Sequence, residues 1–132
     1  MTKMRRCHTT MRGVLAIAAG ARDVLHYHDF DAAGHDDMLE TELERLARDG
    51  LIDGDVHFGH GFGERSACSV TGLTDEGMAF YRLIENGDVW EIVLSTLKAA
   101  NVDVSYPLLK EVCEEIVKRY VTSFIPDIPL KH

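Results

Sequence analysis

The histidines and cysteines are the residues of this chain that could bind a metal ion. His26 and His28 stand two apart, His57 and His60 open a glycine-rich segment, and Cys68 follows that segment. Imidazole nitrogen and thiolate sulfur are the ligands that zinc prefers. No pair among these residues has the spacing of a known zinc motif, and all of them would have to converge from separate segments. We therefore expect loop histidines, with no metal site and no cofactor.

Two other patterns suggest chemistry without completing a catalytic site. Cys7 and His8 are adjacent, but the sequence supplies neither a group to orient the base nor an oxyanion site. The glycines at 59, 61 and 63 lie between two predicted strands, whereas a phosphate-binding loop joins a strand to a helix. We therefore predict a non-enzymatic protein. The remaining enzymatic alternative is a site assembled from residues that are distant in sequence.

Charge is the strongest signal about partners. The formal net charge is −8, yet the first 22 residues contain five basic residues and no acidic one. The rest of the chain holds the other nine basic residues and all 22 acidic ones. Phosphate binding requires a positive face, so the basic arm is the segment best suited to approach nucleic acid, along a backbone or a minor groove. The alternative is a solvated terminus that binds nothing.

Length and composition indicate an ordinary globular protein. A chain of 132 residues that is 45% apolar suits a single domain, residues 1–132. Three widely spaced cysteines without a C-x-x-C pair indicate free thiols and a cytoplasmic location. No apolar run approaches the roughly 20 residues that span a bilayer. The apolar stretch 14–21 after the basic arm imitates a signal peptide, but its short alanine-rich pattern favours a first amphipathic helix.

The positions of apolar residues and glycines predict the elements that would hold these groups. Met11, Val14, Leu15 and Ala18 recur at the spacing of one helix face, and a second stripe ends directly before Gly50. Apolar and polar residues then alternate on both sides of the glycine-rich segment, as in a β-hairpin. The predicted elements are helix 8–19, a short strand 24–28, helix 36–49, a hairpin 51–73, helices 75–86, 89–100 and 106–122, and an extended tail 125–132.

The order of these elements predicts an α+β, mainly α, winged-helix fold with a C-terminal helical extension. Helix 36–49 would be the recognition helix, and hairpin 51–73 would be the wing. Three segments also resemble a known family in order and spacing, namely Leu43–Ile52, Leu73–Gly77 and Asp88–Trp90. That family is the domain of unknown function numbered 2513, found mostly in phage, prophage and other mobile-element proteins. The resemblance covers about Met4 to Tyr120. It implies a winged-helix-like fold and no established activity or catalytic residues.

The charge of the predicted recognition helix separates two hypotheses about function. A helix that reads DNA presents Arg, Lys, Asn or Gln to base edges. From residue 35 to 49 this chain has six acidic residues against Arg45 and Arg48. The first hypothesis is a DNA-binding regulator that uses the basic arm. Its candidate residues are Lys3, Arg5, Arg6, Arg12, Arg45, Arg48 and Arg65.

The second hypothesis is a protein-interaction module whose acidic surface opposes a basic surface on a host protein, for instance as an inhibitor or anti-defence factor. Its candidate residues are Asp36, Asp37, Glu40, Glu44, Tyr120 and Phe124. The long apolar stripe of helix 106–122 predicts a homodimer through this C-terminal helix. Trp90 is predicted to lie in the core, with an interface anchor as the alternative. No membrane partner is expected.

Overall fold

The computed structural model describes residues 7–59, 66–100 and 105–124. Its contacts divide the chain into two compact units, Met1–Tyr81 and Arg82–His132, which are described separately. The described residues form an α+β structure that is mostly helical and has one two-stranded antiparallel hairpin. That residues 1–132 form a single domain stays a prediction, and the predicted tail 125–132 lies outside the described residues.

In the first unit, α1 (His8–Ala19) and α2 (Asp36–Arg48) supply most of the core, and they confirm the predicted helices 8–19 and 36–49. The two helices contact each other. The first hairpin strand, β1 (Ile52–His57), contacts α2, and the second, β2 (Ala67–Leu73), contacts α1. Each fully buried leucine contributes about 1.5–3 kcal/mol. The side chains that these helices bury completely include Met11, Val14, Leu15, Leu39, Leu43 and Leu46.

The end of α2 follows from Gly50. Its φ of +76° is left-handed, a conformation that glycine adopts without the steric cost of a Cβ. The Gly50 N–H donates to the carbonyl of Ala47 at 3.2 Å, and the Leu51 N–H donates to the carbonyl of Leu46 at 2.9 Å. This pair of bonds is a Schellman motif, which satisfies the last carbonyls of a helix. The chain therefore turns sharply from α2 into the hairpin.

The hairpin consists of β1 (Ile52–His57) and β2 (Ala67–Leu73), and it confirms the predicted strands of segment 51–73. Ile52 pairs with Leu73, and His57 pairs with Ala67. The register shifts between Asp53 and Gly54, where a bulge brings the backbones too close for any Cβ at Gly54. An isolated hairpin is marginally stable in water, so burial of Val70 against the unit is needed to hold it.

The predicted strand 24–28 is wrong except at one residue. Leu25 forms an isolated antiparallel bridge with Val70, with reciprocal N–H to carbonyl bonds of 2.8 Å. The chain then enters a 3-10 helix, Tyr27–Phe30. The His26 N–H donates to the Asp29 carboxylate at 2.7 Å. This local side-chain bond closes a turn in competition with strand pairing, which explains why the strand does not extend.

Helix α3 (Asp75–Ile84) begins at a junction with the end of α2. The Thr74 hydroxyl caps α3 by accepting the Gly77 N–H at 3.0 Å, and it donates to the Gly50 carbonyl at 2.5 Å. The Thr74 N–H donates to the Leu51 carbonyl at 3.1 Å. Gly77 is buried here because its backbone packs against Leu51. These bonds fix where the hairpin leaves and rejoins the helices.

The second unit contains α4 (Gly87–Ala100) and α5 (Tyr106–Phe124), which contact each other. α4 starts two residues before the predicted position because Asn86 caps it, accepting the N–H groups of Asp88 and Val89 at 2.8 and 3.1 Å. Trp90 is buried, in agreement with the prediction of a core residue. Of the helices in the described part of the chain, none combines the length and apolar character needed to cross a bilayer.

Candidate functional site

The exposed side of α2 carries four carboxylates, which we call the acidic face: Asp36, Asp37, Glu40 and Glu44. The two aspartates are exposed and the two glutamates are half-buried. Residues three or four positions apart lie on the same side of a helix, so these carboxylates share one side and the buried leucines share another. The carboxylates therefore lie on the side that faces away from the core. Asp36 has a φ of +56°, a left-handed conformation that costs a non-glycine residue about 1–2 kcal/mol.

The predicted basic contacts of the same helix divide into two kinds. Arg45 is only 8% exposed, so its side chain is not on the surface that would meet a phosphate, and its burial argues against that predicted role. Glu42 is also buried, at 1%. Arg48 is exposed, and Arg12 of α1 is half-buried. Among the basic side chains of α2, Arg48 is therefore the one that is exposed, against the four carboxylates of the acidic face. The remaining predicted basic contacts, Lys3, Arg5, Arg6 and Arg65, lie outside the described residues.

A cavity of about 510 Å³ opens beside the acidic face, and we call it the α2–hairpin pocket. Its volume falls within the range typical of small-ligand sites. Elements that are far apart in sequence form it: the 3-10 helix, the first turns of α2 and the ends of both hairpin strands. The lining residues are His26, Tyr27, His28, Glu40, Phe58, Ser66, Ala67 and Cys68.

An aromatic pair forms one wall of this pocket. The rings of Tyr27 and Phe58 meet edge to face, with centroids 5.5 Å apart and planes at 67°. Phe58 is buried, whereas Tyr27 is half-buried and so presents ring surface to the cavity. At the mouth of the hairpin, the Gly59 N–H donates to the Ser66 hydroxyl at 3.2 Å and joins the two strand ends. The aromatic wall is therefore held by the hairpin that contributes Phe58.

Nearby carboxylates affect two titratable groups of the pocket. Burial raises the pKa of the Tyr27 hydroxyl, and the carboxylates of Glu40, Asp36 and Asp31 raise it further. Burial also raises the pKa of the Cys68 thiol, with a smaller contribution from the Asp29 carboxylate. Cys68 is therefore a neutral thiol at neutral pH and a poor nucleophile.

The histidines and cysteines do not assemble into a metal site in this part of the chain. Within residues 7–59, 66–100 and 105–124, no three His, Cys, Asp or Glu side chains come close enough to hold a metal ion. His26 and His28 line the α2–hairpin pocket, whereas His57 is exposed at the end of β1. His60 lies outside the described residues.

The second unit has a separate concave surface of about 550 Å³, which we call the α4–α5 groove. Two large apolar side chains in its lining are exposed, Ile92 at 43% and Leu108 at 47%. Tyr120, a predicted interface residue, is half-buried here, and its hydroxyl donates to the Asp88 carboxylate at 3.2 Å. Phe124, the other predicted aromatic interface residue, ends α5, and its side chain lies outside the described part of the chain. The groove thus contains part of the apolar stripe that the sequence predicts for the last helix, namely Val112, Ile116 and Tyr120, whereas Leu109 and Cys113 of the same stripe are buried.

Sequence reasoning missed the α2–hairpin pocket. It identified Glu40 as an interface residue and weighed His26, His28 and Cys68 as possible zinc ligands, but it did not predict that they line one pocket with Glu40. Tyr27 and Phe58 were not considered as site residues at all. The one sequence signal was a cluster of aromatic and histidine residues directly before the acidic helix. No protein-family model, curated protein or solved structure matches the chain.

Proposed function

We propose that this chain is a non-enzymatic protein-interaction module of winged-helix type, and that its acidic face binds a basic surface of a partner protein. The observation that carries the proposal is the composition of the exposed side of α2, four carboxylates against one exposed guanidinium. The order helix, bridging residue, helix and hairpin supports the winged-helix arrangement. In that arrangement α2 would be the recognition helix, and the hairpin would be the wing.

The charge of α2 favours a protein partner over the DNA major groove. The second helix of a helix-turn-helix unit normally carries the residues that contact base edges. Here a unit negative charge placed 4 Å from a phosphate would cost about 1 kcal/mol even in water, and more where solvent is excluded. The burial of Arg45 removes one of the two arginines that could offset this repulsion.

A basic partner suits the same helix because opposite potentials accelerate association and exclude like-charged competitors. A nucleic-acid-binding surface on a host protein is the kind of basic surface that such a face would occupy. The resemblance to a family of phage and mobile-element proteins supports this role, since blocking or adapting a host protein is a use for a small acidic module. We therefore favour an inhibitor or anti-defence function.

Charge neutralisation on the acidic face tests the proposal. A fluorescently labelled arginine-rich peptide serves as the basic probe, and binding is followed by anisotropy at low and physiological ionic strength. Exposed ion pairs contribute about 0.2–1 kcal/mol each, so the double variant Asp37→Asn/Glu44→Gln should weaken binding roughly twofold to thirtyfold. The matched control Glu91→Gln/Glu114→Gln neutralises two exposed carboxylates of the second unit. An equal loss in both double variants would contradict a specific role for the acidic face.

A DNA-binding regulator is the second candidate, favoured by the five basic residues among the first 22. In this reading the arm bearing Lys3, Arg5 and Arg6 follows the phosphate backbone or the minor groove. Each phosphate contact contributes about 0.9 to the slope of log affinity against log salt. Removing residues 1–6 should therefore abolish duplex binding or flatten its salt dependence. Absence of duplex binding by the full chain at low salt would eliminate this candidate.

We further propose a homodimer through α5 and the α4–α5 groove. Exposed Leu108 and Ile92 give this surface an apolar centre. Along α5, Glu111 and Glu115 precede Lys118 and Arg119, so two antiparallel copies would place acids opposite bases. Light scattering after size exclusion should give twice the 14.8 kDa of one chain. Leu108→Glu should restore the single-chain mass, and a monomeric unmodified protein at high concentration would contradict the dimer.

A further inference from the structure

We infer that the α2–hairpin pocket binds an arginine side chain of the partner protein. This inference rests on the proposed function and names the contact that would make the docking specific. The pocket combines an aromatic wall formed by Tyr27 and Phe58 with the carboxylate of Glu40, and it opens directly beside the acidic face. A flat acidic helix attracts any basic surface, whereas this cavity can select one kind of cation.

The lining matches the chemistry of a guanidinium group. Guanidinium is planar and weakly hydrated, so it stacks on aromatic rings, and it donates two parallel hydrogen bonds to one carboxylate. Tyr27 supplies a half-buried ring, and Glu40 supplies a half-buried carboxylate, both in the same cavity. The volume of about 510 Å³ leaves room for the long side chain that brings the guanidinium in.

The field around the pocket favours a cation. Three carboxylates, those of Glu40, Asp36 and Asp31, act on the Tyr27 hydroxyl. The Asp29 carboxylate likewise raises the pKa of the thiol of Cys68, another residue of the lining, after the larger effect of burial. Among the described lining residues, His26 and His28 are the ones that could carry a positive charge. The carboxylates around the cavity therefore favour a cation over a phosphate or carboxylate ligand.

The pocket is held by hydrogen bonds on each side. The Leu25–Val70 bridge ties the segment before Tyr27 to β2, and Asp29 caps the turn that contains Tyr27. A site preorganised on such elements loses little entropy when a side chain enters. Lysine lacks the planar group that exploits an aromatic wall and a bidentate carboxylate, so arginine is the preferred cation.

An NMR titration of the full-length, 15N-labelled chain locates the site. The probe is N-acetyl-arginine methylamide, and N-acetyl-lysine methylamide is the matched comparison. We expect the arginine probe to shift backbone resonances at residues 26–28, 40, 58 and 66–68, and to bind more tightly than the lysine probe. Shifts located elsewhere, or equal affinity for the two probes, would overturn the inference.

Four variants, one of them a control, identify the contacts. Glu40→Gln should weaken the arginine probe by about fivefold, the upper range for an exposed ion pair, whereas the control Glu91→Gln, which neutralises an exposed carboxylate of the second unit, should leave its affinity unchanged. Tyr27→Phe keeps the ring and should retain binding, and Tyr27→Leu removes the ring and should reduce it. Unchanged affinity in Glu40→Gln overturns the inference even if Tyr27→Leu fails to fold.

The same variants separate this inference from the proposed function. If Asp37→Asn/Glu44→Gln weakens the arginine-rich peptide and Glu40→Gln and Tyr27→Leu do not, the acidic face docks a partner without the pocket and the arginine site is wrong. If none of these variants changes peptide binding, both the docking face and the pocket are wrong.

Discussion

Replacing Gly77 with alanine should destabilise the protein, although alanine is the better helix former. Gly77 lies in the first turn of α3 and is buried. A Cβ at this position would overlap the carbonyl oxygen of Leu51 and lie 2.8 Å from its carbonyl carbon. The neighbour is backbone, so it cannot move aside as a flexible side chain would. The substitution therefore forces α3 away from the residue that joins α2 to the hairpin.

The expected magnitude follows from two opposing effects. Alanine gains about 1 kcal/mol over glycine inside a helix. Overpacking a buried site costs about 1–3 kcal/mol. The overlap lies toward the severe end, because the Leu51 carbonyl also accepts the Thr74 N–H at 3.1 Å and the Leu51 N–H closes the end of α2. We expect a net loss of about 2 kcal/mol in the free energy of unfolding.

Urea unfolding followed by circular dichroism measures this loss. With a slope of about 2 kcal/mol per molar urea, the midpoint should fall by about 1 M. Gly87→Ala is the matched control, since Gly87 also opens a helix but has no atom within 4 Å of its would-be Cβ. The control should be neutral or stabilising by up to about 1 kcal/mol. A Gly77→Ala protein as stable as the unmodified chain would refute the close packing of α3 on Leu51.

Four further predictions concern the helix ends and a buried thiol. Thr74→Ala removes the cap of α3 and should cost about 0.5–2 kcal/mol in urea unfolding, whereas no change would mean that the cap contributes nothing. Gly50→Ala should cost about 1–2 kcal/mol through backbone strain alone, because its Cβ would meet no atom; a stabilised variant would contradict the left-handed turn. Burial raises the pKa of the Cys113 thiol from 9.0 to about 12, and the Glu114 carboxylate contributes to this rise. About one thiol in ten thousand is then ionised near pH 8, so Cys113 should resist thiol reagents until the protein unfolds. The stabilising effect of the neutral Cys113 thiol is complete below pH 9 and is lost as the pH rises toward 12, so the stability difference from Cys113→Ala should shrink over that range.

The helices and the hairpin could be predicted because local signals determine them. Apolar spacing located α1 and α2, and Gly50 and Thr74 marked a helix end and a helix start that the structure confirms through their hydrogen bonds. The segment after α1 could not be predicted in the same way. Leu25 pairs with Val70 across 45 positions of sequence, while the Asp29 carboxylate closes a turn over the next residues.

Burial of charge was the main limit on predicting the site. The sequence shows Arg45 and Arg48 three residues apart on one helix, and it does not show which of them the rest of the fold covers. In the structure Arg45 lies beside the buried stripe and Arg48 does not. The pocket was hidden for a related reason, because Tyr27, Glu40 and Phe58 meet only once the hairpin register and the Leu25 bridge are known.

Parallel anisotropy titrations test most directly whether α2 is a surface for basic proteins. One titration uses a labelled random-sequence duplex and the other a labelled arginine-rich peptide, in one buffer and over a range of salt. The full chain should bind the peptide and not the duplex, and Asp37→Asn/Glu44→Gln should lose peptide affinity. Tight duplex binding together with peptide affinity that is indifferent to those two carboxylates would contradict the proposal.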